Sequence, residues 1–129
     1  MAIYKISKAE QFYHENKTWE RAIDFYKQEN SYLKTRLSEV VDQQIDTGFL
    51  ALAEHFQNQF ILKDEFIREL QQGIHSQQAV LKNGFINEGP EIDNHTIKSH
   101  EKLRNEIEYL EKDFARLRNE FNKYLAKIL

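Results

Sequence analysis

The chain has 129 residues, enough for one compact domain (residues 1–129), and its lack of cysteine excludes disulfides, thiolate metal ligands and a cysteine nucleophile. Its 18 basic and 21 acidic residues give a net charge of −3 without a clustered basic face, so we expect no nucleic-acid binding. No stretch approaches the ~18 apolar residues of a membrane span and the N-terminus has no apolar leader, so we expect a cytoplasmic protein that binds no membrane.

The first predicted helix spans about residues 7–45. One face is marked by spacings that alternate between three and four residues. Ser7 with Glu10 forms a capping-box pattern at the start, while Thr18 offers a later N-cap, so continuity through residues 16–18 stays open. The positions on this face are Phe12, Asn16, Trp19, Ile23, Tyr26, Asn30, Leu33, Leu37, Val40 and Gln44.

The second predicted helix spans about residues 48–82, after a tight break at residues 45–49 where Asp46 or Thr47 could act as N-cap. Gly73 lies inside the pattern, but its cost of about 1 kcal/mol relative to alanine is too small to end so long a helix. Two of the positions on its face are polar. The face consists of Ala53, Phe56, Phe60, Lys63, Ile67, Leu70, Ile74, Gln77 and Leu81.

The third predicted helix spans about residues 95–128, with Asn94 or Thr96 as its N-cap. Residues 83–94 before it contain the only proline and two of the four glycines, so we expect a loop there. A heptad pattern with charged residues between the apolar positions continues for more than three repeats. It runs through Leu103, Ile107, Leu110, Phe114, Leu117, Phe121, Tyr124 and Ile128.

These elements predict an all-α fold. Four glycines and one proline are too few for the frequent turns of a sheet. Short connections between long helices place sequence neighbours antiparallel, so we expect an up-down-up bundle of three helices with coiled-coil-like heptad packing. Dimerisation could complete such a bundle.

Four polar residues, Asn30, Lys63, Gln77 and His100, are expected to form two polar layers in the core. Residues that are equally far from a connection between two antiparallel helices lie at the same height along the bundle. This count places Asn30 at the height of Lys63, and Gln77 at the height of His100. Two interpretations stay open for these layers. Either they fix the register of the helices, with the Lys63 ammonium reaching outward toward a carboxylate such as Glu29, or they line a polar pocket for a ligand.

The sequence offers little sign of metal or catalytic chemistry. None of the five histidines has a Glu three residues before it or a second His four residues away, so we expect no metal and no cofactor. The segment HFQNQ at residues 55–59 resembles half of the hemerythrin-type motif His-Phe-x-x-Glu, but Gln59 replaces the carboxylate. A nucleophile elbow and a glycine-rich phosphate loop are also missing from the sequence, so we predict that the protein is not an enzyme.

Several aromatic residues fall outside the narrow core faces. Phe25, Tyr32, Ile61 and Phe66 are either rim residues or an apolar stripe that is buried against another chain. We therefore expect a structural or protein–protein interaction bundle that binds a second copy of itself or another helical partner. The alternative is a small-molecule or metal-binding bundle, similar only in shape to hemerythrin or ferritin, that uses the polar layers.

Overall fold

The computed structural model describes residues 7–43, 47–87 and 92–129, and only the backbone of residues 84–87. Three α-helices pack against one another: α1 (Lys8–Val41), α2 (Thr47–Asn87) and α3 (Asn94–Ile128). The described residues contain no strand, and the predicted all-α fold is confirmed. None of these helices includes a segment long and apolar enough to cross a membrane.

Helix α1 is continuous through residues 16–18. Ser7 is its N-cap, and the Ser7 hydroxyl accepts a hydrogen bond of 3.1 Å from the Glu10 amide. Thr18 lies inside the helix and donates to the His14 carbonyl at 3.2 Å, so it is not an N-cap. The helix ends at Val41, before the predicted end at residue 45.

Helix α2 continues beyond its predicted end. It runs to Asn87, so the loop predicted from residue 83 starts too early. A glycine inside a helix costs only about 1 kcal/mol, and Gly84 therefore does not end a helix that is already long. The N-cap of α3 is Asp93, whose carboxylate accepts from the Thr96 amide at 2.7 Å, rather than Asn94 or Thr96.

Other predicted features lie outside the described residues: Asp46 as a cap, Gln44 on the face of α1, and residues 88–91 of the predicted loop. Thr47 is the first residue of α2.

The described residues form a core of three clusters along the bundle. The aromatic cluster contains Leu33, Leu37, Val40, Phe49, Ala53, Phe56, Phe60, Phe114, Leu117, Phe121 and Tyr124. The central cluster contains Trp19, Ile23, Ile67, Leu70, Ile74, Leu103, Ile107 and Leu110. The terminal cluster contains Ala9, Phe12 and Leu81. Each cluster includes residues from the faces that the three-and-four spacing predicts, and burial of these faces drives the helices together.

Hydrogen bonds between the helices show how they are aligned. Asn16 binds Gln77, whereas Asn30, further along α1, binds the carbonyl of Phe60, which is earlier in α2. At one end of the bundle, the Tyr124 hydroxyl donates to the Phe49 carbonyl at 2.8 Å and so joins the end of α3 to the start of α2. This alignment brings the polar residues of the three helices to the same levels.

Candidate functional site

Seven polar side chains are buried among the described residues: Asn16, Asn30, Lys63, Gln77, Gln78, Thr96 and His100. Most of them belong to two groups. We call the first the His100 cluster (Asn16, Gln77 and His100, with Glu15 and Arg104 at its edge). We call the second the Lys63 layer (Asn30, Lys63, Asp64 and Asp113). Burying polar groups is unfavourable unless they are hydrogen-bonded, so their partners decide what each group can do.

The His100 cluster links all three helices through one fully buried imidazole. Nδ1 of His100 lies 2.7 Å from Oε1 of Gln77, and Nε2 lies 3.2 Å from Oε1 of Glu15. Asn16 donates to the same Gln77 oxygen at 2.8 Å and to the Phe12 carbonyl at 2.8 Å. The structure thus brings Gln77 and His100 together as the sequence count places them, and it adds Asn16 and Glu15.

Aromatic rings and a charge pair enclose the imidazole. The Phe12 ring stacks on it with centroids 3.7 Å apart and an interplanar angle of 7°, and the Trp19 ring lies 4.6 Å away. Arg104 donates to both carboxylate oxygens of Glu15, at 2.8 Å from Nη2. The ring is therefore held by packing as well as by hydrogen bonds, and it does not open to solvent.

Burial and charge act in opposite directions on this group. Burial lowers the pKa of His100 below its ordinary 6.5, against the raising effect of the Glu15 carboxylate. Burial raises the pKa of Glu15, but the hydrogen bonds from Arg104, together with the one that His100 donates when Nε2 is protonated, outweigh this and lower it below 4.5. Glu15 is thus ionised at neutral pH beside an imidazole whose protonation is opposed by its surroundings.

The Lys63 layer is held by a charge pair between α2 and α3. The Lys63 ammonium donates to the carboxylate of Asp113, and their side chains are 10% and 14% exposed. Arg116 also donates to Asp113, at 2.9 Å from Nε. The predicted partner Glu29 is wrong, because Asp113, one residue before Phe114, lies at the level of Lys63 and on the flank of α3 that faces α2.

Asn30 lies in the same layer but bonds to the neighbours of Lys63 rather than to Lys63 itself. Its amide donates to the Phe60 carbonyl at 2.9 Å and to Oδ1 of Asp64 at 2.6 Å. Lys34 also donates to Asp64. The layer therefore has one ion pair on each flank of α2: Lys34 with Asp64 toward α1, and Lys63 with Asp113 toward α3.

The residues of the predicted interface lie on different surfaces. Phe25 and Tyr32 are 51% and 64% exposed on α1, and Ile61 is 44% exposed on α2. Phe66 is half-buried, with its ring centroid 6.0 Å from that of Tyr109. Five residues correspond to about 140° around a helix, which places Ile61 and Phe66 on opposite flanks of α2. The four residues therefore do not form one continuous stripe.

Two grooves follow the flanks of α2. The α1/α2 groove has a volume of about 610 Å³, and its apolar lining consists of Leu37, Val41, Leu50, Ala53 and Ile61. The α2/α3 groove has a volume of about 480 Å³ and passes Gly73, Gln77 and Leu103. The α1/α2 groove has more apolar side chains in its lining than the α2/α3 groove.

The described residues contain no group of three or more His, Cys, Asp or Glu side chains that could hold a metal ion. His55 is exposed, with its ring 5.5 Å from that of Phe56. The segment that resembles half of the hemerythrin motif therefore supplies an exposed imidazole beside a core phenylalanine.

The fold and its buried groups define a three-helix bundle with polar layers in its core. Comparisons with protein-family models, with curated proteins and with solved structures found no match for the chain.

Proposed function

We propose that the chain is a non-catalytic interaction module that binds a second copy of itself through α2. In this proposal the three helices form an antiparallel up-down-up bundle with coiled-coil-like heptad packing. The observation that carries it is the distribution of exposed apolar side chains. Among the residues whose side chains the structure describes, nine large apolar ones are exposed, and six of these lie on the side of the Lys63 layer that contains the aromatic cluster: Tyr32, Leu50, Leu52, Ile61, Leu62 and Leu129. Two of them, Leu50 and Ile61, line the α1/α2 groove, and exposed apolar surface in a groove is typical of an interaction site.

A stripe on α2 favours a second copy as the occupant of the α1/α2 groove. Leu50, Glu54, Gln57 and Ile61 line this groove, and the spacings between them are four, three and four residues. The stripe therefore has the same spacing in both directions. Two antiparallel copies of α2 related by a twofold axis would place Leu50 against Ile61 of the other copy, and the Glu54 carboxylate against the Gln57 amide.

Such an interface is isologous, because each copy contributes the same surface. The stripe covers eleven residue steps, about 17 Å of helix. An interface of this length lies at the small end of the range for specific complexes, so we expect a weak and concentration-dependent dimer.

Sedimentation equilibrium over a wide range of concentrations tests the proposal. The chain is expected to pass from monomer to dimer, and Ile61→Glu is expected to abolish the dimer by placing a carboxylate against Leu50 of the other copy. Val80→Glu is the matched control, since Val80 is on the same helix, is 53% exposed and lies outside the α1/α2 groove.

The double variant Leu50→Lys/Ile61→Glu separates this pairing from other modes of association. In the antiparallel arrangement each introduced lysine meets the introduced glutamate of the other copy, so the double variant is expected to recover part of the dimer that Ile61→Glu loses. A monomer at every concentration would refute self-association. A dimer that Ile61→Glu leaves intact would refute the α2 stripe.

The alternative function, binding of a small molecule or metal in the polar layers, has weaker support. The His100 imidazole, the Lys63 ammonium and the Asn30 amide already bind protein groups. The buried Oδ1 atoms of Asn16 and Asn30 and the Nε2 atom of Gln77 have no hydrogen-bond partner among the described residues, so a ligand in these layers would bind to these atoms.

A further inference from the structure

Both ring nitrogens of the buried His100 face hydrogen-bond acceptors. Nδ1 faces the Gln77 side-chain oxygen at 2.7 Å, and Nε2 faces a Glu15 carboxylate oxygen at 3.2 Å. A neutral imidazole carries only one N–H proton, so it can donate to one of these acceptors and not to both. The proton of the neutral ring is therefore on either Nδ1 or Nε2.

A series of hydrogen bonds that starts at a backbone carbonyl determines which ring nitrogen carries the proton. The Phe12 carbonyl can only accept, so the Asn16 atom 2.8 Å from it is the amide NH₂. The second proton of that NH₂ goes to Gln77, which must present its oxygen there. The same oxygen faces Nδ1 of His100, so Nδ1 carries the proton in the neutral ring.

The opposite orientation of either amide is unfavourable. Turning Asn16 would place its oxygen against the Phe12 carbonyl oxygen, and turning Gln77 would place two NH₂ groups face to face. In the neutral ring Nε2 is therefore left with a lone pair 3.2 Å from an ionised carboxylate oxygen. Two acceptors at this distance leave a position for one proton between them.

We propose that this position between Nε2 of His100 and Glu15 is a pH-operated clasp between α3 and α1. When the ring takes up a second proton, Nε2–H donates to Glu15 and the contact closes. When that proton leaves, the contact opens, while the Nδ1–H bond to Gln77 of α2 persists.

The charged groups around the ring set the pH at which the clasp operates. Helix α1 contributes Glu15, helix α3 contributes Arg104 and Glu101, and α2 faces the ring with the uncharged Gln77. Burial lowers the pKa of His100 below 6.5, and Arg104 lowers it further, while Glu15 and Glu101 raise it. The clasp therefore closes at a pH below the range in which an ordinary histidine takes up its proton.

Acidification lowers the overall stability of the protein, although it closes the contact between Nε2 of His100 and Glu15. Because the pKa of His100 is lower in the folded chain, the unfolded chain binds this proton more readily. The stabilisation from the neutral ring is complete above about pH 6.5 and is lost as the pH falls through the folded-state pKa. Acidification thus closes the α1–α3 contact while it reduces the free energy of unfolding.

Nitrogen-15 NMR of the imidazole rings tests the clasp directly. At neutral pH His100 is expected to show the Nδ1–H tautomer, with Nε2 unprotonated, and acid is expected to protonate Nε2. The Nε2–H tautomer at neutral pH would overturn the proposal. His55, with its exposed ring, gives a reference signal in the same spectra.

Two variants test the two contacts separately. Gln77→Met removes the acceptor at Nδ1 and is expected to invert the neutral tautomer to Nε2–H, which can then donate to Glu15. Glu15→Gln removes the carboxylate that favours the protonated ring and is expected to lower the titration midpoint of His100. An unchanged midpoint in Glu15→Gln would overturn the proposal even if Gln77→Met does not fold.

Discussion

The two members of the Lys63–Asp113 charge pair are expected to contribute unequally to stability. Both side chains are largely buried, but only Asp113 has a second partner of opposite charge, Arg116. Among the described residues Asp113 is the one carboxylate within ion-pair distance of Lys63. Removing Asp113 should therefore destabilise the protein more than removing Lys63.

The expected losses in the free energy of unfolding depend on which charged side chain remains in each variant and on whether it still has a partner. Lys63→Met loses one hydrogen bond to a charged group but keeps the apolar stem, and we expect a loss of about 1–2 kcal/mol because Arg116 still compensates Asp113. Asp113→Leu leaves a buried ammonium without its carboxylate, and we expect a loss of about 3 kcal/mol. The double variant places two apolar side chains together and should be less destabilised than Asp113→Leu alone.

Urea denaturation of the four proteins in this double-mutant cycle measures the coupling between the two side chains. Additive losses, or a larger loss for Lys63→Met than for Asp113→Leu, would refute the reasoning. Acid provides a further check. Burial raises the pKa of Asp113, but hydrogen bonds from Lys63 and Arg116 lower it below 3.8, so its contribution is present above that pH and lost below it. Lys63→Met should weaken this loss.

Two further predictions concern single contacts. Gly73→Ala should raise the free energy of unfolding by about 0.5 kcal/mol, because alanine favours the helix and the Leu103 methyl that would lie 3.0 Å from the new Cβ borders the α2/α3 groove, where it can move. A loss in thermal denaturation would show that Leu103 cannot move. Ser7→Ala removes the cap on the Glu10 amide and should cost about 1 kcal/mol, with faster amide exchange confined to the first turn of α1. Unchanged exchange there would show that the hydroxyl does not hold the turn.

The all-α fold could be predicted from the sequence because the three-and-four spacing continues over long segments. The spacing also predicts burial well, since Phe60, Phe114 and Phe121 on these faces are fully buried. The ends of the helices were less predictable. The segment from residue 83 contains turn-forming residues, yet the helix continues to Asn87, because a favourable helix can include one glycine.

The partners of the buried polar residues were only partly predictable. Counting from the connections sets Gln77 beside His100, and the structure has these side chains in contact. The count could not identify Asp113 as the partner of Lys63, since a level does not specify which flank of a helix faces its neighbour. Asn16 occupies a predicted core position, and its level with Gln77 is a signal that could have placed it in the His100 cluster.

The two polar groups differ in how strongly they can fix the alignment of α3 against α2. Positions one heptad before and after Asp113 on α3 are Glu106 and Glu120, so a slip of seven residues would still offer Lys63 a carboxylate. The same slip would replace His100 by Ile107 or by Asp93. Ile107 would leave the Gln77 oxygen without the N–H of His100, and Asp93 would place a carboxylate against that oxygen. We therefore expect the His100 cluster to fix the register of α3 against α2, while the Lys63 pair would stabilise more than one alignment.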